Sequence, residues 1–347
     1  MCRTIFPPKH VVGDIVSGAV ITVIIPTRDR SQLLAAALSS ISRQTLSQNL
    51  YEILVVDNGS SDDTAAVVRE STFLNSNVKY FYEAEPGLHV GRHRGMLEAS
   101  GDVLVFADDD IEALPPWLAT IGEIFSDPEV AMVGGNNIPL FQEPPPHWLE
   151  QLWERPHPIG GKVLPSLSII ELPGAARPLS PQYVWGCNFS IRKDLLIEAG
   201  GFHPDGMPSE LIQFRGDGET HVSRFVAKSG LKCLFHPEAS VYHKVTAERM
   251  SIEYFYKRGF SQGVSDSYTQ FRACAGRNFL RRALSGQVSV LVRRVLRTLR
   301  ARWMLTGDAF RAEAALIRGH SEGFRYHRAA YRAQPEVRDW VHKAQYF

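Results

Sequence analysis

The chain has 347 residues, of which 44% are hydrophobic and 22% charged, and a formal net charge of +1. This is an ordinary globular composition without internal repeats or low-complexity tracts, and it leaves room for one large domain with an appendage, or for two domains. The small net charge conceals an asymmetry: from Phe271 onward stand 16 Lys and Arg against 5 Asp and Glu, whereas the preceding residues carry 22 basic and 32 acidic side chains.

Such a basic tail on an acidic body is suited to an anionic surface, a membrane or an acidic partner. The four cysteines, Cys2, Cys187, Cys233 and Cys274, lie far apart and form no metal-type or redox pair, the pattern of a reduced cytoplasmic protein. The early run from Val11 to Ile25 is broken by Asp14 and Gly18 and ends at Pro26, so it reads neither as a signal core nor as a membrane span.

In chain order, Val20 to Ile25 reads as a buried strand, and Ser31 caps a helix with Leu33, Leu34, Ala37, Leu38 and Ile41 on one face. Tyr51 to Val56 is the next strand, followed by a turn at Asn58-Gly59-Ser60-Ser61 and a helix through Val67 and Val68. Val78 to Tyr82 is a third strand, Gly87 to Ala99 a loop and helix, and Asp102 to Ala107 a fourth strand. Apolar strands alternating with helices predict parallel βαβ units, hence an α/β fold with a mostly parallel, Rossmann-like sheet flanked by helices.

The prolines between Pro139 and Pro181 predict a long irregular loop there. Regular structure resumes at Tyr183-Val184-Trp185, with a helix over Gly218 to Ser229 and strands at Leu231 to Phe235 and Ala239 to Tyr242. The last hundred residues read as helical. Leu284, Val288, Leu291, Val292, Val295 and Leu299 share one face, and Arg293, Arg294, Arg297, Arg300 and Arg302 occupy much of the rest. This basic amphipathic pattern fits either a helix packed on the body or one lying on a membrane surface. The expected divisions are an extension over 1–19, an α/β domain over 20–245 and a basic helical region over 246–347.

The chemistry concentrates at strand ends. Asp108-Asp109-Asp110 follows the apolar run Val103 to Ala107. Three carboxylates there repel one another and are costly to desolvate, and a hard divalent cation such as Mg²⁺ or Mn²⁺ relieves both penalties. The alternative is an acidic cap before the helix that begins near Pro115-Pro116-Trp117. Pro26-Thr27-Arg28 follows the first strand, where open α/β sheets bind nucleotides; Thr and Arg can donate to a base or diphosphate, or form an ordinary polar connection. Asp57, just after the second strand, can accept from the ring N–H of uracil or guanine, or close an Asx-turn.

These ordered segments resemble family 2 glycosyltransferases of the GT-A fold, over roughly residues 20 to 245. Ile24-Ile25-Pro26-Thr27-Arg28 resembles the opening strand and nucleotide loop, and Val55 to Ser60 the second-strand motif. Gly91-Arg92-His93-Arg94-Gly95 is similar to the Ala-Arg-Asn-x-Gly helix segment, with Gly91 and His93 replacing Ala and Asn. Asp108-Asp109-Asp110 matches the DxD motif.

The resemblance implies a nucleotide-sugar site built from Pro26, Thr27, Arg28, Asp57, Arg92, Asp108 and Asp109. It implies a divalent metal, Mn²⁺ or Mg²⁺, on Asp110 and Asp108, completed in some relatives by a His at the position of His243. Trp185-Gly186-Cys187-Asn188 looks like the acceptor segment, with Trp185, Gly186 and Asn188 as contacts. The catalytic base implied is Glu219 or Asp217, two acids that otherwise simply open the following helix.

The implied activity is metal-dependent, inverting transfer of a sugar from a nucleotide-diphosphate sugar, UDP by default, to an acceptor hydroxyl, in polysaccharide or glycoconjugate synthesis. The acceptor is expected to be sugar-containing or lipid-linked, and nucleic acid is not an expected partner. The expected location is cytoplasmic, peripheral to the inner face of a membrane through the basic helices. Two rivals are a sugar nucleotidyltransferase, which normally has a Gly-rich basic loop after its first strand, and a non-catalytic nucleotide-binding scaffold of a polysaccharide-assembly complex.

Overall fold

Strand β1 (Ile21–Thr27) is buried along its whole length, and its side chains alternate between two cores. Ile21, Val23 and Ile25 join Ile53, Val55, Val103 and Val105 on one face of the sheet; Ile24 joins Leu54, Leu104 and Phe106 on the other. Each such side chain contributes about 1.5–3 kcal/mol on burial, and this is why the strands read as unbroken apolar runs. The computed structural model describes residues 21–273, 296, 299 and 301–347.

Along the chain, β1 is followed by α1 (Ser31–Ile41), β2 (Tyr51–Asp57), α2 (Thr64–Leu74), β3 (Val78–Tyr82), α3 (Leu88–Glu98) and β4 (Val103–Ala107). These strands lie in the order β3-β2-β1-β4, all parallel. The chain leaves β1 toward β2 on one side, while β4 pairs on the other, so the sheet has its topological switch at β1 and β4. A crevice opens at their carboxyl ends, where such folds bind ligands.

Then come β5 (Ile111–Ala113), α4 (Trp117–Ile124), β6 (Val130–Gly134), β7 (Asn137–Phe141), α5 (His147–Trp153), β8 (Lys162–Leu164), β9 (Ile169–Glu171) and β10 (Arg177–Pro178). The stretch expected as one irregular loop therefore carries short regular elements. Pro146 immediately precedes α5 and Pro165 opens a 3₁₀ turn, positions where a missing N–H and a fixed φ are tolerated.

After β11 (Asn188–Arg192), α6 (Lys193–Glu198), α7 (Glu219–Ser229), β12 (Lys232–Phe235) and β13 (Val241–Val245), the chain ends in α8 (Ile252–Ala273), α9 (Gly307–Ala333) and α10 (Pro335–His342). The large sheet is mixed, because β11 enters antiparallel between β4 and β6. A second sheet of order β5-β13-β7-β9-β8 stands beside it.

The C-terminal helices are packed into the body. Phe255 of α8 and Ala309 and Ala312 of α9 share a core with Leu149, Leu152 and Trp153 of α5. The backbones of α8 and α9 approach closely: a Cβ on Gly263 would come 2.1 Å from the His320 carbonyl oxygen, and one on Gly259 2.2 Å from that of Leu316. Among the described residues, no helix is long and apolar enough to cross a membrane. The basic amphipathic stretch expected from Leu284 onward lies outside the described residues except for Leu296, Leu299, Ala301 and Arg302.

Candidate active site

Two loops at the carboxyl ends of β1 and β2 are clamped together. Asp29, in the left-handed region at φ 51°, accepts hydrogen bonds from the Ser61 N–H (2.7 Å) and hydroxyl (3.0 Å). Its own N–H donates to Ser60 Oγ at 2.9 Å. Beside this clamp, Pro26, Thr27, Arg28, Asn58, Gly87 and Asp109 line a cavity of about 190 Å³. Asp57 does not line it. Its carboxylate is buried, accepting from the Ser60 N–H (2.8 Å) and the Tyr80 hydroxyl (2.7 Å), the geometry of the turn-closing alternative. Asn58 is the residue that faces this cavity, and its side chain is braced by the Glu83 and Glu85 carbonyls and the Gly87 N–H.

The aspartate triplet divides three ways. Asp109 turns into the β1 loop, accepting from Thr27 Oγ1 at 2.7 Å and pairing with Arg30 at 2.6 Å. Burial pushes its carboxyl up to about 7 despite the Arg30 charge. Asp110 is also buried, with Arg30 at 2.8 Å, Arg249 at 3.2 Å and His243 Nε2 at 3.3 Å. Burial opposes its charge, but the His243 contact and the two guanidiniums outweigh that and hold it well below the usual carboxylate range. Asp108 is 30% exposed and faces Arg92 at 3.4 Å.

His243 reaches Asp110 because β13 pairs antiparallel with β5, the strand that begins directly after the triplet. The Lys244 N–H donates to the Asp110 carbonyl at 2.9 Å, fixing the register.

Of the expected metal set, Asp110 and His243 are thus brought together, while Asp108 is drawn to Arg92. Among the described residues there is no cluster of three or more His, Cys, Asp and Glu side chains arranged as a cage. The pair still fits a divalent cation. Asp110 Oδ1 is buried, and its one close polar neighbour among the described residues is the His243 imidazole nitrogen at 3.3 Å. Mg²⁺-type sites use one or two protein ligands and take the rest of their shell from water and substrate phosphates.

Arg92 is the hub of the site. It is 2% exposed, and its guanidinium pairs with Asp205 (3.0 Å), Asp108 (3.4 Å) and Glu219 (3.7 Å). Expected as a nucleotide contact, it lines the smaller cavity and ties three carboxylates together. Gly186 makes room for it, since a Cβ there would stand 2.1 Å from Arg92 Nη2. The neighbouring His93 accepts the Phe202 N–H on Nε2 at 2.9 Å, so its Nδ1 carries the proton that faces the Tyr346 carbonyl at 3.2 Å. Burial lowers it to about 4.

Asp217 and Glu219 flank Gly218, whose φ of +51° and 2.8 Å approach of a would-be Cβ to Asp205 Oδ2 both require glycine. Asp217 is saturated: His203 Nδ1 and Arg224 stand at 2.6 Å, and the Thr269 hydroxyl donates at 2.7 Å. Glu219, 27% exposed, borders two cavities at once. The first, of about 230 Å³, is lined by Arg92, Asp108, Asp205, Arg215, Arg249 and Arg258 among others. The second, of about 380 Å³, is bounded by Trp185, Gln182, Leu164, Leu316 and His320. Ser168, Glu219, Thr220, Arg258 and Gln262 belong to both walls.

Of the expected acceptor residues, Trp185 lines the larger cavity and Gly186 the smaller. Asn188 lines neither. It is buried, accepting from the Trp117 indole N–H at 3.0 Å and donating to the Ala239 carbonyl at 3.0 Å, which makes it a core residue. Asp205, Arg249, Arg215 and Arg258 carried no signal in the sequence, since each is brought in from a segment with no strand-end pattern of its own.

The model of the family described as Glycosyl transferase family 2 matches residues 22–199. Relatives include the glycosyltransferase AglE of Haloferax volcanii, 33% identical over 33% of this chain and 38% of that protein. A glucosyl-dolichyl phosphate glucuronosyltransferase of the same organism is 22% identical over 68% of this chain and 72% of its own length. A GalNAc(5)-diNAcBac-PP-undecaprenol β-1,3-glucosyltransferase of Campylobacter jejuni is 37% identical over 29% of this chain and 33% of its own. The matched stretch thus spans about a third of the length of two of these three relatives. Among solved structures, the mannosyltransferase PcManGT of Pyrobaculum calidifontis, in complex with GDP-Man and Mn²⁺, shares the fold with a TM-score of 0.52 at 19% identity, over 96% of this chain and 86% of that one. With a family model covering more than half its length and the parallel β3-β2-β1-β4 core in place, the chain belongs to glycosyl transferase family 2.

Proposed function

We propose that the protein transfers a sugar from a nucleotide-diphosphate sugar to an acceptor hydroxyl with inversion at the anomeric carbon, and that Glu219 is the base. The observation that carries this reading is the position of Glu219 on the common wall of the two cavities, where a donor on the Asp108 side and an acceptor on the Trp185 side would meet. Asp217, saturated by three partners, is left as the structural acid.

In this reading Glu219 takes the proton from the acceptor hydroxyl as the oxygen attacks the anomeric carbon, and the sugar–phosphate bond breaks. With one base and no enzyme nucleophile, attack comes from the face opposite the leaving group. Arg92 holds Glu219, Asp108 and Asp205 in fixed relation, so both substrates meet a preset geometry. Asp110 and His243 would hold Mn²⁺ or Mg²⁺, which when bound supplies positive charge to the departing diphosphate. The cavity at Thr27, Arg28 and Asn58 would take the nucleoside. A relative acting on an undecaprenol diphosphate saccharide and another on a dolichyl phosphate glucoside support a lipid-linked acceptor. Trp303, 88% exposed, and the exposed Leu296 and Leu299 suit contact with a membrane surface.

Thermal-shift screening of UDP-, GDP- and dTDP-sugars, with and without Mn²⁺, tests the donor class. A competent donor raises the melting temperature only with the metal, and NMR of the product reads the anomeric configuration. Retention would overturn the inverting mechanism, and pyrophosphate release from a nucleoside triphosphate would favour a nucleotidyltransferase. Sedimentation with anionic liposomes at low salt tests the membrane contact.

A further inference from the structure

One stripe of α8 faces the smaller cavity: Tyr254, Arg258, Gln262 and Ser265 follow at helical spacing and all line it. Across from them, Arg215 donates through Nε to Ser265 Oγ at 3.2 Å. Arg215 and Arg258 are both half-buried. Among the described residues, neither has a carboxylate within ion-pairing distance, although Asp205, Glu219 and Asp108 line the same cavity. Those three carboxylates are gathered on Arg92 instead. Burial, and then the like charge of Arg258, lower the proton affinity of Arg215.

Two neighbouring guanidiniums without a direct ion pair repel each other and are partly stripped of water, and the more distant Asp205 and Glu219 offset this for Arg215 only in part. A bound oxyanion removes both costs, and the guanidinium fork is shaped to receive phosphoryl or carboxylate oxygens in pairs. In the proposed function the donor diphosphate would be met beside Asp110, which gathers Arg30, Arg249 and His243; of these four only Arg249 lines this cavity. Arg258 belongs to the acceptor-side wall as well, next to Glu219.

We infer that Arg215 and Arg258 form an oxyanion site for the acceptor, so that the enzyme selects an acceptor carrying a phosphoryl or carboxyl group close to its attacking hydroxyl. The inference rests on the glycosyltransferase reading of the site. The C-terminal helix α8 then becomes the element that sets acceptor choice.

The test is calorimetric titration of inorganic phosphate into the full chain saturated with UDP or GDP and Mg²⁺. Phosphate is expected to bind the nucleotide-loaded wild type. Arg258→Gln and Arg215→Gln should each weaken it at least about tenfold while leaving nucleoside diphosphate affinity within about twofold. Arg258→Lys, which keeps the charge but not the fork, should fall between. Melting curves of each variant report whether it is folded.

Failure of phosphate to bind the loaded wild type overturns the inference, as does equal loss of phosphate and nucleotide affinity in the glutamine variants, which would assign the arginines to the donor. Displacement of phosphate by a nucleotide-linked uronic acid but not by a neutral nucleotide hexose also overturns it, because the anion would then belong to the transferred sugar. If the wild type binds no nucleoside diphosphate at all, it is the glycosyltransferase reading that fails.

Discussion

Arg92 Nη1 stands 3.0 Å from Asp205 Oδ2, and both side chains are buried. Burial pushes the Asp205 carboxyl up to about 6 although Arg92 pulls it down, so the pair is held against its desolvation cost. Asp205→Ala leaves a buried guanidinium with one partner fewer and is expected to cost about 3–5 kcal/mol, read from urea denaturation. Asp205→Asn, which keeps an acceptor oxygen, should cost clearly less. Equal losses in the two variants would mean that the charge contributes nothing.

Glu219→Gln should lower kcat by about 10²–10⁴-fold while donor binding persists, because it removes only proton acceptance. Asp217→Asn should chiefly lower the melting temperature, since it weakens contacts to His203, Arg224 and Thr269. If Asp217→Asn removes turnover at unchanged stability and Glu219→Gln does not, the base is Asp217. Steady-state kinetics beside melting curves decide between them.

Asp110→Asn should abolish the Mn²⁺-dependent rise in melting temperature and the metal-dependent transfer while the chain stays folded. His243→Ala should weaken the metal response without abolishing nucleotide contact at the Thr27 loop. An unchanged Mn²⁺ response in Asp110→Asn would remove the metal role from the triplet.

His93 is held neutral at about 4 by burial, below the ordinary value of 6.5. As pH falls from about 6.5, the unfolded chain therefore binds the proton first, and stability is lost down to the folded value near 4. His93→Gln, unable to take up a proton, should reduce the slope of the melting temperature across that window, the remainder belonging to the buried His89 and His327. The same slope in wild type and variant would show that His93 is not responsible.

Gly263→Ala places a Cβ 2.1 Å from the His320 carbonyl and must push α8 and α9 apart. The expected loss is about 1–3 kcal/mol in denaturant unfolding, as for other overpacked contacts. Since Arg258, Gln262, Glu313 and His320 line the larger cavity from these two helices, KM for the acceptor should rise more than KM for the donor.

The parallel strands β1, β2 and β4 were legible because both of their faces are buried, which leaves uninterrupted apolar runs with polar residues at their carboxyl ends. For the same reason Thr27, Asp108 and Asp110 could be placed at the carboxyl ends of β1 and β4 from local pattern alone. The prolines of 139–181 misled, because a proline at the entry of a short element looks the same in sequence as one in a loop. Asn188 misled as well: its partners, the Trp117 indole and the Ala239 carbonyl, come from distant segments.

Local sequence, then, carried the type of fold, the polar residues at the strand ends and two candidate acids, because those depend on neighbours a few residues apart. The different surroundings of the two acids, the meeting of His243 with Asp110 and the placing of Arg215 beside Arg258 of α8 came from packing. A carboxylate's role depends on which charges face it, and those charges arrive from α3, α7, α8 and β13 only once the two sheets and the helix pair have closed around the crevice.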